Sequence, residues 1–178
     1  LKKIIFITLF VFTGLMLWAQ VPDKPKPPRL YNDLTPAKNF ISPSQAAELE
    51  NRLAEFYHQT SNQICVVITN DLKGMPASDY AFEIGNKWGI GSKKFNNGIV
   101  IVIQPEGGEG QRDYFIAVGY GLEGAIPDLA TKAIRENEML PHLKTGNYYQ
   151  ALIDAVNALE KAAAGEYKVE VKKQNKNN

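Results

Sequence analysis

The stretch Gly119-Tyr120-Gly121-Leu122-Glu123-Gly124-Ala125-Ile126-Pro127-Asp128 places three glycines and two carboxylates within one short segment. It follows Tyr114 to Val118, a largely apolar run of the kind a buried strand uses, and precedes Leu129, Ala133 and Ile134 at helical spacing. The segment is therefore expected to be a loop at the carboxyl end of a strand, with Asp128 as the N-cap of the next helix. In open α/β sheets ligands bind at that edge, and two acidic side chains there suit a hard cation better than an anion.

Two other segments carry oxygen donors toward the same edge. Asn96-Asn97-Gly98, preceded by Trp88-Gly89-Ile90-Gly91, delivers amide oxygens to the start of a strand, and Asp33 lies just before the first helix. Calcium takes about six to eight oxygens from carboxylates, amides, main-chain carbonyls and water. A site built from Asp33, Asn96, Asn97, Glu123 and Asp128 with main-chain help is chemically reasonable. Each residue also has an ordinary structural role open to it: Asp128 as a helix cap, the asparagines as turn formers, Asp33 as a linker charge. The glycines can serve only to permit a tight turn.

Other chemistries find less support. Gly119 to Gly124 fits the G-x-G-x-x-G pattern of dinucleotide sites, but more helix follows it where that motif needs a parallel strand with an acidic ribose ligand, and Glu123 would oppose a pyrophosphate. No G-x-S-x-G elbow is present, and the one cysteine, Cys65, lacks the arginine of a cysteine phosphatase loop. His58 and His142, the only two histidines, read as surface residues.

The elements that must position the loop follow from periodicity. Ser42-Pro43-Ser44-Gln45 is a helix start with a capping box, followed by Ala46, Leu49, Leu53 and Phe56 on one face. Ile64 to Ile68 is a buried strand, Tyr80, Ala81, Ile84 and Trp88 mark a second helix ended by Gly89, and Gly98 to Ile103 is the next strand, parallel to the first. Gly107, Gly108 and Gly110 reverse the chain into Tyr114 to Val118, which is expected to be antiparallel. A helix is predicted from about Asp128 to Glu138, with a break at Pro141 and a longer helix carrying Tyr148, Leu152, Val156 and Leu159 inward to Gly165.

Residues 1–19 combine Lys2-Lys3 with an uncharged apolar run to Trp18, too short for the roughly 20 residues a bilayer demands, and read as a secretory signal peptide cleaved near Ala19. A proline-rich linker over 20–30, one domain over 31–165 and a flexible polar tail over 166–178 complete the organisation. Without Lys2 and Lys3 the chain carries 18 basic against 19 acidic residues, a balance with no attraction for nucleic acid. The processed form is expected to be periplasmic or secreted, monomeric and not membrane-spanning. Cys65 has no disulfide partner within the chain and reads as a small buried hydrophobe.

The ordered set Asn32-Asp33, Trp88-Gly89-Ile90-Gly91, Asn96-Asn97-Gly98, Gly119 to Gly124, Asp128 and Gly146-Asn147-Tyr148 resembles the TPM domain family over roughly Tyr31 to Ala162. The resemblance implies an α/β/α sandwich with a small mixed central sheet flanked by helices, in exported bacterial and thylakoid-lumen proteins. It implies a divalent cation, calcium before magnesium, at the carboxyl edge of the sheet. Some members are described as acid phosphatases, so a metal-dependent phosphatase is the alternative, and a non-catalytic module binding an envelope protein partner is a second. The family commonly has Asp-Asn-Gly where this chain has Asn96-Asn97-Gly98, so an amide replaces one carboxylate. Glu123 and Asp128 match it directly.

Overall fold

The computed structural model describes residues 20–94, 96–106 and 112–169. The expected signal peptide, the glycine reversal at 107–110 and the tail beyond residue 169 lie outside them. Four strands form one mixed sheet in the order β1-β2-β3-β4: β1 Tyr31–Asp33, β2 Gln63–Ile68, β3 Gly98–Gln104 and β4 Asp113–Val118. The first three are parallel, and β4 runs antiparallel to β3. Helices α1 (Pro43–Thr60), α2 (Ala77–Trp88), α3 (Asp128–Ile134), α4 (Leu140–Lys144) and α5 (Tyr148–Ala163) cover it.

Strand alternation divides the core into two layers. Ile64, Val66, Ile68, Ile99, Ile101 and Ile103 face α1, α3 and α5. Cys65, Val67, Val100, Val102 and Ala117 face α2, whose Tyr80, Ala81, Ile84 and Trp88 are buried against them. Strands apolar on both faces are what a sheet sandwiched between helices requires. The fold is thus an α/β sandwich, with α2 alone on one side.

The local signals act as expected at α1, where Ser42 Oγ accepts from Gln45 N–H and the Gln45 side chain returns to the Ser42 N–H. Gly89 ends α2 in the left-handed conformation, φ 63°.

Three expectations change. Tyr31–Asp33, at the start of the expected domain, is a fourth strand, too short to show a period, and α1 holds its beginning: the Glu50 carboxylate accepts from Leu30 N–H at 3.0 Å and Tyr31 N–H at 2.7 Å. The chain does not break at Pro141. A π turn over Arg135–Met139 carries α3 into α4, Leu140 N–H reaching Arg135 O, and Pro141 sits in the first turn beyond it. The wider turn leaves room for the ring that an α-helix would reject. Finally, residues 21–24 pack on α2. Val21 is buried, Trp88 Nε1 donates to Pro22 O at 2.8 Å, Lys87 pairs with Asp23 at 2.9 Å, and Lys24 caps the helix through Trp88 O at 2.9 Å.

Candidate functional site

The glycine-rich segment leaves β4 where backbone crosses backbone. Gly119 N–H donates to Gly98 O at 2.8 Å, and a Cβ on Gly119 would stand 2.2 Å from Asn96 O. Only glycine permits that approach. Asn96 itself is left-handed, φ 46°, a conformation asparagine tolerates, and its carbonyl accepts from Gly121 N–H at 3.1 Å. A short 3-10 turn, Tyr120–Leu122, then buries Leu122 and leaves Tyr120 and Glu123 exposed. Gly91 and Gly98 meet in the same manner, a Cβ on Gly91 falling 2.4 Å from Gly98 N.

These segments and α2 enclose a groove of about 340 Å³. Phe82 and Gly85 of α2 line it from one side, Val118, Gly119, Tyr120 and Glu123 from the β4 side, and Asn96 from the loop before β3. Asn96 and Glu123 are therefore brought together from separated segments. Asp128 is exposed and opens α3 beyond Pro127; Pro127 occupies the N-cap position, so the Asp128 side chain contributes charge to the first turn and makes no capping bond.

Asn97 and Asp33 are used elsewhere. The Asn97 side chain is buried, accepting from Ser92 N–H at 2.8 Å and donating to Ser61 O at 2.6 Å, which ties the start of β3 to the end of α1. The Asp33 carboxylate accepts from Thr35 Oγ1 at 2.6 Å and Phe40 N–H at 3.0 Å, holding the β1–α1 loop. Asp33 also lies at the other edge of the sheet. It pairs with Ile68, Ile68 with Ile103 and Ile103 with Tyr114, whereas Gly119 follows Val118, the partner of Ile99. Because β4 is antiparallel, its carboxyl end coincides with the amino ends of the parallel strands. A strand length, on the order of 15–20 Å, separates Asp33 from the groove. The expected convergence of Asp33 with Glu123 is corrected accordingly, as is the placement of the loop at the carboxyl edge of the sheet as a whole.

Among the described residues, no group of three or more His, Cys, Asp and Glu side chains is spaced to hold a metal. What the groove offers is the Glu123 carboxylate, the side-chain amides of Asn86 and Asn96 and main-chain carbonyls, a donor set that fits a hard cation retaining much of its water.

The profile of the TPM domain matches residues 34–162. The chain belongs to the TPM domain family. Two solved structures share the fold of this TPM domain. The N-terminal domain of a protein from P. gingivalis is 27% identical, with a TM-score of 0.64 over 81% of this chain and 87% of that one. The N-terminal domain of a protein from Corynebacterium glutamicum has a TM-score of 0.57 over 89% of this chain and 97% of that one, at 12% identity, and speaks for the fold alone. None of the curated proteins compared with the TPM chain matches it.

Sequence reasoning missed Gly85, Phe82 and Glu50. For Gly85 the signal was available, as a glycine inside the helical pattern from Tyr80 to Trp88.

Proposed function

We propose that this TPM domain acts after export and binds a divalent cation, calcium with magnesium as a weaker alternative, in the groove that Asn96 and Glu123 both line. The observation that carries the reading is that pairing. An amide from the β3 approach and a carboxylate from the β4 exit line one groove, held by the Gly121 to Asn96 hydrogen bond. Asp128 adds negative charge from the start of α3, and main-chain oxygens and water complete the shell. With one groove carboxylate and an amide in the position of a second, affinity should be modest. The bound ion would supply fixed positive charge at the loop junction and restrain it.

Export rests on the sequence of residues 1–19. Among the described residues no helix is long and apolar enough to cross a membrane. The phosphatase alternative draws less support from the groove, whose lining residues include no cationic side chain to clamp a phosphoryl group. Calcium titration by calorimetry of the chain from Gln20 onward, beside Glu123→Gln, tests the proposal. Loss of one charge should weaken binding tenfold or more; equal affinity in the two proteins would remove Glu123 from the site.

A further inference from the structure

Two asparagines in tandem are held very differently here. Asn97 precedes Gly98, and an asparagine before glycine is the one most prone to lose its amide, because no side chain shields the attacking main-chain nitrogen. The fold closes that route. The Asn97 side chain is buried and bonded to Ser92 N–H at 2.8 Å and Ser61 O at 2.6 Å, and its carbonyl accepts from Gln63 N–H at 3.1 Å. Gly98, whose nitrogen would attack, opens β3. Ring closure at Asn97 therefore demands that the end of α1 and the starts of β2 and β3 part from one another.

Asn96 is under no such restraint. It is exposed, it lines the groove, and among the described residues its side-chain amide makes no hydrogen bond. Its main chain is tied by Asn96 N–H to Ser92 O at 2.7 Å and by Gly121 N–H to Asn96 O at 3.1 Å. Only the second of these bonds has to open for the Asn96 carbonyl to turn. Asn86, the other side-chain amide lining the groove, lies within α2, whose helical hydrogen bonds hold its main chain.

We infer that Asn96 is a deamidation site, where an amide of the groove is converted to a carboxylate in the folded protein. The main-chain nitrogen of Asn97 attacks Asn96 Cγ and forms a C–N bond. The bond from Cγ to Nδ2 breaks, and the proton lost by the attacking nitrogen leaves with Nδ2, through solvent, as ammonia. Water, the only co-reactant, then opens the cyclic imide. Attack at Cγ gives aspartate and restores the original main chain; attack at the main-chain carbonyl gives isoaspartate, which inserts a methylene where Asn96 packs against Gly119. The aspartate product joins Glu123 as a second carboxylate lining the groove, and a hard cation gains from the added charge. That consequence rests on the cation reading above; the modification itself does not.

Peptide mapping by mass spectrometry tests it. The protein is aged in mildly alkaline buffer with EDTA, native and in urea, and the rate at each asparagine is compared between the two states, so that the effect of the following residue cancels. Native protection should be below about tenfold at Asn96 and above about a hundredfold at Asn97, because local opening costs far less than parting packed elements. Equal protection at the two residues, or protection of Asn96 as strong as that expected of Asn97, would overturn the inference. A second arm titrates Asn96→Asp with calcium by calorimetry, aspartate being tolerated in the left-handed conformation of this residue, φ 46°. It should bind tenfold or more tightly than the wild type, and unchanged affinity would remove the functional consequence. If neither protein takes up calcium while Asn96 is converted, the cation reading fails and the modification stands.

Discussion

Single residues in this domain divide by what already occupies their polar atoms. Asn97 and Asp33 were legible as oxygen donors from their types and neighbours, but their oxygens are taken by Ser92, Thr35 and Phe40. These partners lie within the same loops, two to seven residues away, and the loop conformation that brings them to the oxygens is not encoded by residue type alone. Cys65 behaves as its surroundings in the sequence foretold. It is fully buried between the sheet and α2, and burial pushes its thiol up to about 12. With the folded value raised, the thiol's contribution to stability is fully present below the unfolded value near 9 and is lost as pH rises toward 12. At pH 8 the native protein should therefore leave a disulfide reagent such as dithionitrobenzoate unreacted, and urea should release one thiol. Rapid native-state labelling would show that Cys65 is reached by solvent.

Within elements, glycines that look equivalent in the sequence do different work. Gly119 has backbone 2.2 Å from where its Cβ would be, whereas Gly124 has nothing within 4 Å. Gly119→Ala should cost about 2–4 kcal/mol, because main chain and not a flexible side chain must move, while Gly124→Ala should lie within about 0.5 kcal/mol of the wild type. Urea unfolding of the two variants checks this, and equal losses would refute the close-approach account. The π turn before Pro141 belongs to the same scale. Sequence predicted a break because proline forbids an ordinary helical hydrogen bond, but packing of Ile134 and Met139 into the core favours a continuous rod with one widened turn.

For the molecule as a whole, the start of the proline-rich segment, residues 21–24, is part of the packed structure, while Lys26 to Arg29 are exposed. Burial of Val21, the Trp88 to Pro22 hydrogen bond and the Lys87–Asp23 pair join it to α2. Asp23 is held below the usual carboxylate range by its hydrogen bond from Lys87, so this pair's share of stability is present above the unfolded carboxylate value and fades as pH falls through the lower, folded one. The pair is exposed and adds little; the apolar contact dominates. Starting the chain at Arg29 instead of Gln20 should lower stability by about 1–3 kcal/mol, mostly through Val21 and the Trp88 bond. An unchanged unfolding midpoint would return the segment to a free linker. On the opposite face, Arg52 of α1 reaches Glu160 of α5 at 2.7 Å, closing the two long helices over the sheet.

By itself the sequence determined β2, β3 and β4, the helices α1, α2 and α5, the covering of the sheet on both faces and the membership implied by its ordered motifs, because periodicity, caps and turn glycines act over a few residues. It did not determine which donors share a site. Tertiary structure decided that: the antiparallel entry of β4 puts the Glu123 loop at the amino ends of β1 to β3, beside Asn96 and Gly85 and a strand length from Asp33. Strand direction and register are set by pairing between segments distant in the chain, and no local pattern encodes which ends of two strands will meet.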